Sequence, residues 1–225
     1  MLIFLDANKT QWLEAPAELP PDYEIAQLLT PLTMYSDRGG KYAIDNGAFA
    51  GFDAKKFRSL LIRQESAIGR CVFVAVPDVV GSARRTLEVF EHWSELLCKW
   101  PLGLVMQDGI EDLAIPWRQI SAVFVGGSTE FKLSESATHV IRAARAIGKW
   151  VHVGRVNTPG RLAKFIDLGV DSIDGTGLSR YSWMRRELAR DSAEPRLDFG
   201  NDAGAEGGSV RDDSAGIDAS VAIKR

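Results

Sequence analysis

The chain reads as α/β: a small (β/α)8 barrel of the TIM type, followed by a disordered tail. Three observations predict this. Short apolar runs alternate with helical patterns, polar residues collect just after nearly every run, and no Gly-x-Gly-x-x-Gly follows the first run. The alternation calls for parallel strands joined by right-handed crossovers. The missing glycine fingerprint weakens the competing architecture, an open dinucleotide-binding sheet. About 190 residues is short for a barrel, a class whose usual length is about 250.

In chain order the strands are expected at Leu2–Leu5, Tyr42–Ile44, Val72–Val76, Leu104–Met106, Ala122–Val125, Val151–Val153 and Ser172–Ile173. Each is too short for a helix and apolar, and all but Leu104–Met106, which Gln107 follows, are ended by Asp, Gly or Pro, as buried parallel strands are. The segment Tyr23–Thr33 supplies a further element, which would bring the strands to eight. A short helix follows Phe52. Ser82 caps the next, with Leu87, Phe90, Ser94 and Leu97 on one side and Val89, Trp93, Leu96 and Trp100 beside them. Another runs from Ser134 and presents Ala137, Val140, Ile141, Ala144 and Ile147 at helical spacing. The clearest has Thr158 as N-cap, Pro159 at the first helical position and Gly169 just past the end, enclosing Leu162, Phe165 and Ile166. A last helix begins near Tyr181.

Composition narrows the class. The chain has 225 residues, 45% of them hydrophobic and 25% charged, which excludes a fibrous or wholly disordered protein. Lys+Arg 27 against Asp+Glu 30 gives a net −3 and no global basic field. Residues 191–225 hold 8 acidic and 4 basic residues, are rich in Gly, Ala, Ser and Asp, and are expected to be disordered. Residues 1–190 then carry about one net positive charge and form one barrel domain. Cys71 and Cys98 are too few for a disulfide framework and are expected as buried free thiols. The start, MLIFLDANK, lacks a basic region before its apolar stretch, and no run approaches the roughly 20 apolar residues of a membrane span. A cytoplasmic protein without a membrane partner is expected.

The residues after the strands carry the chemistry. They are Asp6, Asp45-Asn46-Gly47, Pro77-Asp78, Gln107-Asp108-Gly109, Gly126-Gly127-Ser128, Gly154-Arg155 and Asp174-Gly175-Thr176. Any one of these Asp residues has an ordinary alternative as a turn residue or helix cap. Seven strands ending this way converge on one mouth of a barrel, where active sites are built. His92 and His139 fall in helical patterns. His152 lies on a strand and can face the barrel interior or the helix layer, so no role is assigned to it. His and Cys are too scattered for zinc, whereas a magnesium site made of several Asp residues stays open. A purine such as guanine matches better. Its N1–H and exocyclic amine need a carboxylate, and its O6 needs amide or backbone donors, which Asp78, Gln107 and the Gly126-Gly127 backbone supply.

With those residues in view, the chain resembles the tRNA-guanine transglycosylase (queuine tRNA-ribosyltransferase) superfamily. DNGAF at Asp45–Phe49 is similar to its DSGGF element, PDVV at Pro77–Val80 to its base-recognition loop, and VMQDG at Val105–Gly109 to VQGG. VGGS at Val125–Ser128 resembles the glycine loop that holds the base. HVGRVNT at His152–Thr158 resembles the strand that ends in a glycine turn, and GVDSIDGTGLSR at Gly169–Arg180 the family's GVDMFDCxxPTR segment. Asn46 stands where the family has Ser, and Ala48 where it has Gly. The family's zinc-binding module has no counterpart after the barrel. The resemblance is therefore to a compact, zinc-less branch like the DNA-guanine transglycosylases of 7-deazaguanine DNA modification.

The resemblance implies exchange of guanine for a 7-deazaguanine base in DNA or tRNA, with no cofactor and no metal. Asp174 would be the nucleophile that forms a covalent glycosyl intermediate, and Asp45 the general acid and base. Asp78 and Gln107 would grip the base edge beside Asn46, with the N–H groups of Gly126 and Gly127 assisting and Gly154 at the glycine turn. Phe49 would stack on the base and Arg180 would hold a phosphate. Arg155, Arg161, Lys164, Arg180, Arg185, Arg186 and Arg190 exceed the local acids by three, a stretch that can contact phosphates or be a solvated helix face. Two other readings stand beside this one. The first is another barrel enzyme, such as a lyase or phosphodiesterase, using Asp45, Asp78 and Asp174 around a metal or phosphate. The second is a non-catalytic nucleobase-binding module.

Overall fold

A computed structural model describes residues 1–193. Eight strands pair in parallel and close on themselves in sequence order: β1 (Leu2–Leu5), β2 (Glu24–Leu29), β3 (Tyr42–Ile44), β4 (Cys71–Ala75), β5 (Leu102–Met106), β6 (Ala122–Val125), β7 (Trp150–Val153) and β8 (Ser172–Asp174). The closing pair sets Leu2 against Ser172 and Phe4 against Asp174. This is the expected TIM-type barrel, and Tyr23–Thr33 does supply the missing strand, β2. Among the described residues the helices are α1 (Lys9–Glu14), α2 (Ala54–Gln64), α3 (Ala83–Leu96), α4 (Thr129–Leu133), α5 (Glu135–Ala146), α6 (Pro159–Asp167), α7 (Thr176–Arg180) and α8 (Ser182–Ala193).

The helices are not one per strand. No α-helix follows β2 or β5, whereas β6 and β8 are each followed by two. Those two crossovers shorten the barrel, the one after β5 carrying only a 3-10 turn at Ile110–Asp112. The caps read from sequence are present. Ser82, Ser134 and Thr158 each accept a backbone N–H three residues on. Past α6, Gly169 is left-handed (φ 67°), its N–H donates to Ile166 O and the Val170 N–H to Phe165 O, which closes the helix in a Schellman turn.

Strand alternation divides the apolar residues in two. Ile3, Leu5, Ile44, Val74, Leu104, Val123, Val151 and Ile173 point outward and join the helices in the larger cluster. Leu2, Phe4, Ala26, Leu28, Ala43, Phe73, Ala75, Val105, Ala122 and Phe124 form a separate cluster in the lumen. There the rings of Phe4, Phe73 and Phe124 meet edge-on, with centroids 5.7 and 6.0 Å apart. Small residues make room for them: a Cβ on Gly103 would sit 3.1 Å from the Phe73 ring. Among the described residues the lumen is a packed floor, and the strand ends open at the mouth.

Two expectations need correction here. Cys98 is exposed and Cys71 is half-buried, because Cys98 lies just beyond α3 on its solvent side while Leu97 takes the inward position. Arg185 is buried and Arg186 pairs beside it. Both bind Glu18, Arg185 Nε at 2.6 Å and Arg186 Nη2 at 3.1 Å, so they tie α8 to the segment after α1 rather than face a phosphate. Helix α8 continues through Ala193, and the remainder of the expected tail, 194–225, lies outside the described residues. No helix among the described residues is long and apolar enough to cross a membrane.

Candidate active site

The carboxyl ends of the strands bring Asp6, Asp45, Asp78, Gln107, Gly126, Gly154 and Asp174 to one mouth. Two recesses open there. The smaller, about 70 Å³, is lined by Asp45, Asn46, Asp78, Gln107, Gly126 and Gly127 above a floor of Val105 and Phe124. The larger, about 260 Å³, is lined by Asp6, Thr30, Asp45, Asp174, Ser179 and Arg180. Asp45, Phe49 and Arg155 border both. Phe49 projects from a 3-10 turn, Ala48–Ala50, is 70% exposed, and has the Arg155 guanidinium 4.2 Å over its ring. This cation–π pair stands between the two recesses.

Asp174 ends β8 and is 8% exposed. The Arg155 N–H donates to its Oδ1 at 3.0 Å, and the His152 ring nitrogen Nε2 lies 2.9 Å from its Oδ2. Arg155 reaches that position from left-handed backbone (φ 60°), unusual for a residue with a side chain, and its Nη2 donates to Gly127 O at 2.6 Å. Asp45 accepts the Gly47 N–H at 3.1 Å from a left-handed glycine. Burial pushes its carboxyl up to about 6 despite that bond, and the charges of Asp174, Asp78 and Asp6 push the same way. Asp6 is likewise raised, chiefly by burial, although Thr33 Oγ1 donates to it at 2.7 Å.

Asp78 is the best-oriented acceptor. Asn46 Nδ2 donates to its Oδ1 at 2.8 Å and Gln107 Nε2 to its Oδ2 at 2.6 Å. Gln107 is itself held, because its Oε1 accepts the Gly81 N–H at 2.9 Å. Burial raises the Asp78 carboxyl from its ordinary value, against the pull of these two amides. Behind the mouth, Lys132 is buried with its Nζ on Gly154 O at 2.8 Å. Burial and the neighbouring Arg155 charge lower it to about 8.

The expected binding residues therefore divide. Asp45, Asp78, Gly127, Phe49, Arg180 and Asp174 face the recesses, whereas Gln107, expected to grip the base edge, is buried with its amide on Asp78 and its carbonyl on the Gly81 N–H, so it aims Asp78. Asn46 does not offer its amide to a ligand. It is 1% exposed, donates to Val76 O as well as Asp78, and accepts the Ala48 N–H, so it works by aiming Asp78. The Gly126 N–H is spent on Met106 O at 3.1 Å and the Gly154 N–H on Val125 O at 3.2 Å, both continuing the barrel ladder. The Gly127 N–H makes no such ladder bond. Gly126 and Gly154 are needed instead for space: a Cβ on the first would lie 2.7 Å from Val105, and on the second would collide with the Phe124 ring. The turn expected of Gly154 is made by Arg155.

His152, whose face the sequence leaves open, turns into the lumen beneath Asp174, and Asp6, which the sequence gives no binding role, lines the larger recess. Parity was the available signal for His152: it lies two residues before Gly154, and alternate strand residues share a face. Among the described residues no group of three or more His, Cys, Asp or Glu is arranged to hold a metal ion. The carboxylates lie on separate amide, hydroxyl, imidazole and backbone partners.

No family model and no curated protein matches this chain. The mouth has an oriented acceptor in one recess, a buried carboxylate in the other, and between them a carboxyl that changes charge near pH 6. That arrangement can bind a donor-rich heterocycle, attack an electrophilic carbon beside it, and move a proton between the two.

Proposed function

We propose that the protein is a nucleic-acid guanine transglycosylase that replaces guanine with a 7-deazaguanine base by double displacement, on DNA or tRNA. The observation that carries the reading is the placement of Asp45 on the border of both recesses, with its carboxyl raised to about 6. Asp78 accepts from N1–H and the exocyclic amine of the base, held in register by Asn46 and Gln107. Asp174 attacks C1′ of the target nucleotide. The bond between C1′ and N9 breaks, and the leaving guanine takes the proton that Asp45 carries. The incoming base gives its N9 proton to Asp45, N9 attacks C1′, and the ester bond returns its electron pair to Asp174. A carboxyl poised near 6 is suited to both proton transfers.

The floor of lumen aromatics closes the pocket from below, so the target base must leave its stack to enter. The Phe49 ring offers a stacking face at the entrance, and exposed Arg180 borders the larger recess where a flanking phosphate would lie.

The test is incubation with labelled guanine or a labelled 7-deazaguanine and either DNA or tRNA. Label is expected to enter one of the two polymers. Asp174→Ala abolishes the incorporation and leaves binding of the free base in place. If the wild-type protein incorporates no label and forms no covalent adduct with either polymer, the reading fails.

A further inference from the structure

Asp174 stands on a chain of buried polar groups that enzymatic readings based on the mouth leave unused. Strands β7 and β8 turn Trp150, His152 and Ser172 into the lumen beneath it. The indole N–H of Trp150 can only donate, so Ser172 Oγ, 2.8 Å away, accepts it. The Ser172 hydroxyl then has its own proton to give, and the His152 Nδ1 lies 3.0 Å from it. With Nδ1 accepting, the ring proton resides on Nε2 and points at Asp174 Oδ2, 2.9 Å away. The imidazole is fully buried, with the rings of Phe124, Phe73 and Phe4 at 4.6, 5.0 and 5.5 Å. Nothing bound at the mouth can touch it.

We infer that His152 is a positioning residue for Asp174, aligned by Ser172 and Trp150, and that it acts chiefly when the Asp174 carboxylate departs from the sugar. The role rests on the double displacement proposed above. During attack, Asp174 loses its charge as its oxygen bonds to C1′, and the hydrogen bond from Nε2 weakens from charged to neutral. During release, the electron pair of the C1′–O bond returns to Asp174, and the carboxylate re-forms against a donor already in place. The Arg155 N–H holds Oδ1 in the same way from the side. No proton passes through His152. Its contribution is larger where negative charge grows, so its loss lengthens the life of the covalent adduct.

The experiment follows adduct formation and decay by rapid quenching with the polymer that accepts label. His152→Leu fills the site without a donor. It is expected to form the adduct and to lengthen its lifetime roughly tenfold or more, as loss of a bond to a charged group requires, with KM for the polymer little changed. His152→Gln, which places an amide N–H near the position of Nε2, restores most of the wild-type decay rate. Ser172→Ala disturbs the alignment without touching the imidazole and moves the lifetime in the same direction, by less. Decay in His152→Leu as fast as in the wild type, or a Gln variant no better than Leu, overturns the role. The 15N resonances of the ring are a separate check: a neutral imidazole carrying its proton on Nδ1 also overturns it. A wild-type protein that forms no adduct at all overturns the double displacement itself, an outcome distinct from an adduct whose lifetime ignores residue 152.

Discussion

Asp45 carries a stability cost that its position explains. Its ordinary value is 3.8 and the folded site raises it to about 6. Between those limits the folded chain binds a proton that the unfolded chain has released, so stability falls as pH rises through the window. Asp45→Asn removes the charge and keeps an acceptor for the Gly47 N–H. It is expected to raise stability at neutral pH by on the order of 1–2 kcal/mol for a half-buried group, with the gain vanishing below about pH 4, while the proposed exchange activity is lost. Thermal unfolding across that range checks the sign. Asp45 and Asp174 were legible because each directly follows an apolar run. Asn46, expected as a ligand contact, orients another residue instead, because the sequence does not show which partner consumes an amide. His152 was left open between two faces because its strand is hydrophobic on both.

Helices and turns were legible in proportion to their length. α6 announced itself through Thr158, Pro159 and Gly169, which satisfy both of its ends. α1, α4 and α7 have five or six residues, too few for an apolar period to register, and depend on the barrel for support. The turn after β7 was read as a glycine feature, but the left-handed residue is Arg155, held there by Asp174, Gly127 and Phe49 together. Gly154→Ala should therefore act through crowding. Its Cβ meets the Phe124 ring and approaches Asp174 Oδ2 to 3.3 Å. The expected cost is about 1–3 kcal/mol of stability, with base binding weakened along with the proposed activity, because the Phe124 ring that must move is the floor of the Asp78 recess. Comparison of unfolding midpoints with label incorporation separates the two effects.

For the whole molecule, parallel closure was legible from the order of strands and helices, and no helical pattern stands in the sequence of the crossovers after β2 and β5, where no α-helix is present. The polymer that this mouth is proposed to take is a polyanion. Its affinity should fall as salt rises, and Arg180→Gln should reduce the slope of that dependence by about one; binding titrations at several ionic strengths measure it. Closure has a further consequence. Every strand pairs with its neighbour in sequence, and the last must in addition find the first across some 170 residues. While the chain emerges during synthesis, seven strands can assemble early, but the cylinder stays open along one seam until Ser172–Asp174 arrive. The segment that seals the seam also delivers the proposed attacking oxygen. An unfinished nascent protein thus exposes aromatic surface and lacks the proposed attacking group, and both change in the step that closes the seam.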